Sequence, residues 1–201
     1  MPSDPTTPDR ASLRGDLRAQ RRAIPAPQRI AAADALANRL LALAFAPARG
    51  YVAGYWAMDG EIALHSWQLR LPRETVYCLP VLHDDNTLRF APWRPGDGLV
   101  TNRFGIPEPD IAPSSALPAE ALSLAVMPLV GFDGDGHRLG MGGGWYDRSF
   151  AFRNRDMPPP WLVGVGFDAQ QVGQLPLESW DVLPDAICTE TRTLLAEPRH
   201  D

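Results

Sequence analysis

The 201-residue sequence predicts an α/β protein with a mostly parallel central sheet and helices on both faces, three layers in all. Three observations support this. Apolar runs at 51–57, 76–82, 122–130 and 161–167 read as largely buried strands. Helix-compatible stretches precede or separate them. One run, LSLAVMPLV, leads directly into GFDGDGHRLGMGGGWYDR at 131–148, a stretch suited to placing a ligand beyond the carboxyl end of a strand.

The first elements are helical. Residues 1–8 hold Pro, Ser, Thr and Asp with little to bury and are expected to be disordered. Asp9 can cap a helix running from Arg10 to about Ile24, before Pro25. Leu13, Leu17 and Ile24 share one face of it, and Arg10, Arg14, Arg18 and Arg21 form a row bordering that face. Two readings are open for the row: a solvated face, or a set of cations turned partly into a cleft where an anion relieves their repulsion. Residues 27–45 predict a second amphipathic helix with no functional role.

The middle of the chain is strand-rich. After the strand at 51–57, the tight turn MDGEI puts Trp56 and Glu61 near a strand end, as stacking and polar contacts for a ligand. Glu61 reads equally as a first-turn acid of a helix over IALHSWQL. VYCLPVL and TLRFAPW, joined by HDDN, predict an antiparallel pair. From Arg94 to Pro118 the chain is Pro- and Gly-rich and irregular, with Phe104 either walling an aromatic ligand or anchoring the loop.

Seven glycines lie between Gly131 and Arg148. Strand, glycine loop and helix in that order direct backbone N–H groups toward one spot, which suits a phosphate. Arg138 can add a forked cationic contact, and Asp147 can hold Mg²⁺ beside it. No lysine follows these glycines, which excludes a Walker loop, and Trp145 breaks the dinucleotide spacing begun by Gly140 and Gly142. Farther on come a strand at 161–167, a short helix at 168–175 and a last strand at 186–189, with Asp181 and Asp185 as metal-ligand or surface-cap candidates.

Composition bounds the rest. One domain over 9–195 is expected, with a tail at 196–201. A net charge of −5 gives no bulk attraction to nucleic acid or anionic membrane. No run approaches the roughly 20 apolar residues of a membrane span. Cys78 and Cys188 are far apart in apolar runs and read as buried free thiols of a cytoplasmic protein.

Taken together, RASLRGDLRAQRR, MDGEI, LPVL, FGIPEP, MPLVGFDGDGHRLGMGGGWYDR and LPLESWDVLPDAICTE resemble, in order, the 5-formyltetrahydrofolate cyclo-ligase family. The resemblance implies a NagB/RpiA/CoA-transferase-like fold and cyclisation of 5-formyltetrahydrofolate to 5,10-methenyltetrahydrofolate, with ATP as co-substrate and Mg²⁺ assisting. It implies ATP contacts at Arg10, Arg14, Arg138, Leu139, Gly140, Met141, Gly142, Gly143, Gly144, Trp145 and Tyr146. Folate contacts are implied at Arg14, Trp56, Glu61, Phe104, Met141, Gly142, Gly143, Gly144 and Trp145. Arg138, Glu61 and Tyr146 are the implied catalytic residues, and Asp147 and Asp181 the metal ligands. A monomer binding only small molecules is expected. Three positions depart from the usual pattern: Arg10 stands where Lys is common, Met141 where Tyr or Arg is, and Trp145 for the first Tyr of YYD.

Overall fold

The computed structural model describes residues 9–196; the segment 1–8 and residues 197–201 of the expected tail lie outside the described residues. Helix α1 spans Arg10–Ala23, with Asp9 Oδ2 accepting from the Ala11 N–H at 3.3 Å as the sequence predicts. It ends because Ile24, ahead of Pro25, is driven to extended backbone. Helix α2, Ala26–Leu41, is shorter than the predicted 27–45. Phe45 leaves the helical path to stack on Trp161, with ring centroids 4.3 Å apart.

Seven strands make the main sheet: β1 (Arg49–Ala53), β2 (Glu74–Leu82), β3 (Leu88–Pro92), β6 (Leu122–Pro128), β9 (Trp161–Val165), β10 (Ala186–Cys188) and β11 (Thr193–Leu195). Their order is β11-β10-β9-β6-β1-β2-β3. The five inner strands are parallel, and the edges β3 and β11 pair antiparallel with their neighbours. Side chains alternate between two cores. Val52, Leu79, Leu124, Val126, Val163 and Val165 face one core, shared with α2 and the short helix α3 (His65–Gln68). Ala53, Cys78, Ala125, Met127 and Leu162 face the other, completed by Phe90 and Phe150. Covering both faces is what permits parallel pairing, because neither side of the inner strands alternates apolar with solvated residues. The three-layer α/β expectation is met.

Differences from the sequence reading are local. Strand β1 stops at Ala53 rather than 57, since the chain turns back there and Tyr55 donates to the Ile62 carbonyl at 2.6 Å. The stretch 94–118 is not wholly irregular. It folds a hairpin of β4 (Leu99–Thr101) and β5 (Pro107–Pro109), pinned to the end of β2 by the Leu82 N–H donating to Glu108 Oε2 at 3.2 Å. The predicted helix at 168–175 is a single 3-10 turn, Asp168–Gln170. Strand β11 had no counterpart in the sequence reading.

The chain runs from β1 outward to β2, then returns to β6 on the other side of β1 and proceeds to β9 and β10. Connections therefore diverge between β1 and β6, and such a switch point opens a crevice beyond the carboxyl ends of the strands.

Candidate active site

A cleft of about 770 Å³ occupies that crevice. Tyr55 and Trp56 follow β1, Pro80 and Leu82 close β2, and Pro128 ends β6; all five line it. The glycine stretch does not reach it as one loop. Gly131–Phe132 (β7) and Arg138–Leu139 (β8) form a hairpin, tied at its tip by Asp133, whose carboxylate accepts from the Asp135, His137 and Leu175 N–H groups. Only the segment after β8, Gly140 to Gly144, is open loop lining the cleft. Gly142 and Gly144 have φ of +96° and +65°, backbone that a Cβ would strain, and a Cβ on Gly142 would sit 3.4 Å from the Arg14 guanidinium. The helix that follows, α4 (Trp145–Ser149), has five residues. A helix so short adds little dipole, which leaves loop amides and arginines as the groups able to attract an anion.

Three guanidiniums line the cleft on the side of this loop. Arg14 Nε donates to the Gly140 carbonyl at 2.8 Å. Burial, and then the charge of Arg10, push the Arg14 guanidinium below its usual pKa. Arg10 forks onto Asp181, Nη1 to Oδ2 at 2.8 Å and Nη2 to Oδ1 at 3.2 Å. Arg138 Nη2 and the Val182 N–H both donate to Asp147 Oδ1, leaving Oδ2 without a partner among the described residues. The Nε–H groups of both Arg10 and Arg138 are buried without a hydrogen-bond partner there. Two orphaned cationic donors beside one cleft are costly unless an anion arrives.

The other wall is aromatic and acidic. Glu61 Oε2 accepts from the Met58 N–H at 3.0 Å, and its Oε1 lies 3.7 Å from Arg21 Nη1. Burial raises the Glu61 pKa above the usual carboxylate value, opposed by the Met58 N–H and by Arg21. Tyr146 is pushed well above the ordinary phenol value by burial and then by Glu61, which keeps it a neutral donor. Phe104 and Trp145 meet edge to face with centroids 5.8 Å apart.

Of the residues singled out from sequence, Arg10, Arg14, Trp56, Glu61, Phe104, Arg138, Gly140 to Tyr146, Asp147 and Asp181 all border this cleft. Leu139 does not. It is fully buried in a small core with Leu17, Val130 and Leu175, because alternation in β8 turns it away from Arg138. Asp185 is also withdrawn from the metal candidates, for it pairs with the buried Arg153 at 2.9 Å and accepts from the Leu162 N–H. Sequence reasoning missed Tyr55, Met58, Asn102, Pro128 and Trp180 as lining residues. Trp180 stands 63% exposed at the cleft beside Asp181, and its place in the ESWD run was the signal available. On the arginine side Asp147 offers an oxygen without a partner among the described residues, while both Asp181 oxygens accept from Arg10. The two carboxylates are hard donors of the kind a divalent cation takes, and Asp181 would have to release Arg10 to serve as one. The Cys78 thiol, raised to about 12 by burial, is excluded as a nucleophile.

Fold and cleft together define an α/β protein with an arginine- and glycine-lined cleft at a sheet switch point. The chain belongs to the 5-formyltetrahydrofolate cyclo-ligase family, whose model matches residues 6–190. It is 36% identical to the 5-formyltetrahydrofolate cyclo-ligase of Haemophilus influenzae, over 88% of this chain and 95% of that one. The cyclo-ligase of Escherichia coli strain K12 is 35% identical over 88% of this chain and 97% of its own length. Among solved structures, Aquifex aeolicus 5,10-methenyltetrahydrofolate synthetase superposes with a TM-score of 0.78 at 25% identity, covering 96% of this chain and 95% of that one.

Proposed function

We propose that this protein uses ATP and Mg²⁺ to cyclise 5-formyltetrahydrofolate to 5,10-methenyltetrahydrofolate. The supporting observation is the pair of orphaned buried guanidinium N–H groups, Arg10 Nε and Arg138 Nε, in the same cleft as Trp56 and Glu61. One wall suits a polyphosphate and the other a flat heterocycle with N–H donors.

The formyl oxygen of the substrate attacks the γ-phosphorus of ATP, forming an O–P bond and releasing ADP. The formyl carbon, now bonded to a phosphate leaving group, is attacked by the neighbouring folate nitrogen. A C–N bond forms, the C–O bond to phosphate breaks, and that nitrogen loses its proton. Phosphoryl transfer needs positioning and charge neutralisation more than a nucleophilic side chain. Arg138 neutralises the transferring phosphoryl group, Arg10 and Arg14 hold the polyphosphate, and loop amides from Gly140 to Gly144 cradle it. Mg²⁺ held by Asp147 and Asp181 would share in that charge neutralisation. Trp56 stacks on the pterin, Glu61 accepts its N–H donors, and Tyr146 donates a hydrogen bond from its neutral phenol. Met141 and Phe104, 50% and 54% exposed, form the apolar rim. A reducing cytoplasm suits the buried free thiols of Cys78 and Cys188.

With ATP, Mg²⁺ and 5-formyltetrahydrofolate, near-ultraviolet absorbance of the methenyl product should rise. No rise with folded protein overturns the proposal. ADP formation that persists without folate marks a kinase or phosphatase instead.

A further inference from the structure

The lower half of α1 carries a device that the proposed chemistry does not use directly. Arg21 is 1% exposed, yet it is not an isolated buried charge. Its Nε donates to the Asp59 carbonyl at 3.0 Å, Nη2 to Asp59 Oδ2 at 2.9 Å, and Nη1 to the Leu129 carbonyl at 3.3 Å. Nη1 also lies 3.7 Å from Glu61 Oε1. One guanidinium thus joins α1, the turn after β1 and the end of β6, across the two strands where the cleft opens. Asp59 is the keystone of the turn. It holds a left-handed backbone with φ of +51°, unusual for a non-glycine residue, and receives Arg18 and Arg22 as well.

We propose that Arg21, held in place by Asp59, is a positioning residue that sets both the orientation and the ionisation of Glu61. This rests on the reading of Glu61 as the acceptor for the folate. Glu61 has one backbone hydrogen bond, from Met58, through Oε2. Its other oxygen accepts no hydrogen bond among the described residues and lies at ion-pair distance from Arg21, and so retains acceptor capacity for a ligand. The groups whose charge Glu61 feels are Arg21 and Arg18 from α1, Asp59 from its own turn, Tyr55 from the end of β1, and Tyr146 from α4. Burial raises the Glu61 carboxyl, Arg21 lowers it, and Asp59 raises it. Arg21 and Asp59 therefore act on Glu61 with opposite signs while gripping each other.

That opposition gives a test which a purely structural role cannot imitate. The ionisation of Glu61 is read from carboxyl-carbon NMR of protein labelled with ¹³C-glutamate, assigned by the resonance lost in Glu61→Gln. In parallel, the acid limb of kcat/KM for 5-formyltetrahydrofolate is recorded against pH. Arg21→Gln should move the Glu61 titration upward by about 1 unit, the effect of losing a nearby opposite charge. Asp59→Asn, nearly isosteric and tolerant of left-handed backbone, should move it downward by a few tenths of a unit to about 1. Arg21→Lys keeps the charge and should leave the titration within a few tenths of the wild type. The acid limb should follow with the same signs. Shifts of the same sign in Arg21→Gln and Asp59→Asn, or no shift in either, overturn the proposal. Should Arg21→Gln fail to fold, the downward shift in Asp59→Asn decides it, and its absence overturns. A wild-type protein that makes no methenyl product defeats the folate reading, whereas the NMR titrations still decide what Arg21 does.

Discussion

Helix α1 is one element with two fates for the same side chain. Its upper half sends Arg10 and Arg14 into the cleft, where Arg10 Nε is buried without a hydrogen-bond partner and Arg14 is crowded by Arg10. Its lower half sends Arg18, Arg21 and Arg22 onto a single carboxylate, Asp59. Of the upper pair Arg10 keeps one N–H without a partner even though its Nη groups are held by Asp181, and Arg14 meets only a backbone carbonyl, whereas the lower three share one carboxylate in full. A row of like charges is thus kept together by dividing it between a cleft and a turn. The difference teaches that a cation's role is decided by what the facing loop supplies, not by its place on the helical wheel.

The largest effect expected on activity comes from Arg138, which belongs with the upper set. Arg138→Ala should cost about 2–4 kcal/mol of transition-state stabilisation, the loss seen on removing one preorganised donor, so kcat falls by roughly 30- to 10³-fold. Its thermal midpoint should change little, because Asp147 keeps the Val182 N–H. Steady-state kinetics beside a melting curve checks both halves. An unchanged kcat would move Arg138 into the structural set. Arg21→Ala should do the reverse. It removes a buried cation hydrogen-bonded to two backbone carbonyls and a carboxylate, and should cost about 2–3 kcal/mol of folding stability by denaturant titration.

Between these lies Arg10. Its two Nη groups fork onto the two oxygens of Asp181, a geometry a lysine ammonium cannot reproduce, and this accounts for arginine at a position where the resemblance led to an expectation of lysine. Arg10→Lys should raise KM for ATP by about 3- to 10-fold, roughly 1 kcal/mol, with kcat nearly kept. Titrating initial rates against ATP at saturating folate measures it. A fall in kcat with no change in KM would place Arg10 at the transition state instead.

How much of this division was legible in the sequence follows from what each pattern encodes. Near-continuous apolar runs at 122–130 and 161–167 carry strand and sheet, because a strand covered on both faces must be apolar on both. The helical wheel carried the arginine row, and Asp9 carried the start of α1. The row's partition was not legible, since Asp59 is 38 residues from Arg21 and only the topology brings them together. The glycine stretch misled for a related reason. Its two halves are similar in composition, yet Asp133 can satisfy two N–H groups of the hairpin tip and the Leu175 N–H from farther along the chain, whereas Gly142 and Gly144 leave the chain open before α4. Leu139, next to Arg138 in sequence, faces the opposite way because the two sit in a strand.

The smallest effect is a pH dependence confined to the neutralised half. Partial burial pushes the Asp59 carboxyl upward, but hydrogen bonds from Arg18 and Arg22, with the charges of Arg18 and Arg21, outweigh it and bring the pKa to about 2, from 3.8 unperturbed. A carboxyl whose pKa is lower in the folded state adds stability that is complete above its unfolded pKa and is lost as pH falls through the folded one. The Asp59 contribution should therefore be intact above about pH 4 and disappear toward pH 2. Over that window the thermal midpoint of the wild type should fall more steeply than that of Asp59→Asn, and the two curves should draw together at the acid end. Since Arg18 and Arg22 reach Asp59 from partly solvated positions, screening keeps the gap small. Parallel curves across the window would show that Arg21 is held by its contacts to the Asp59 and Leu129 carbonyls, not by the carboxylate, and the contrast between the halves of α1 would then be one of burial and not of charge.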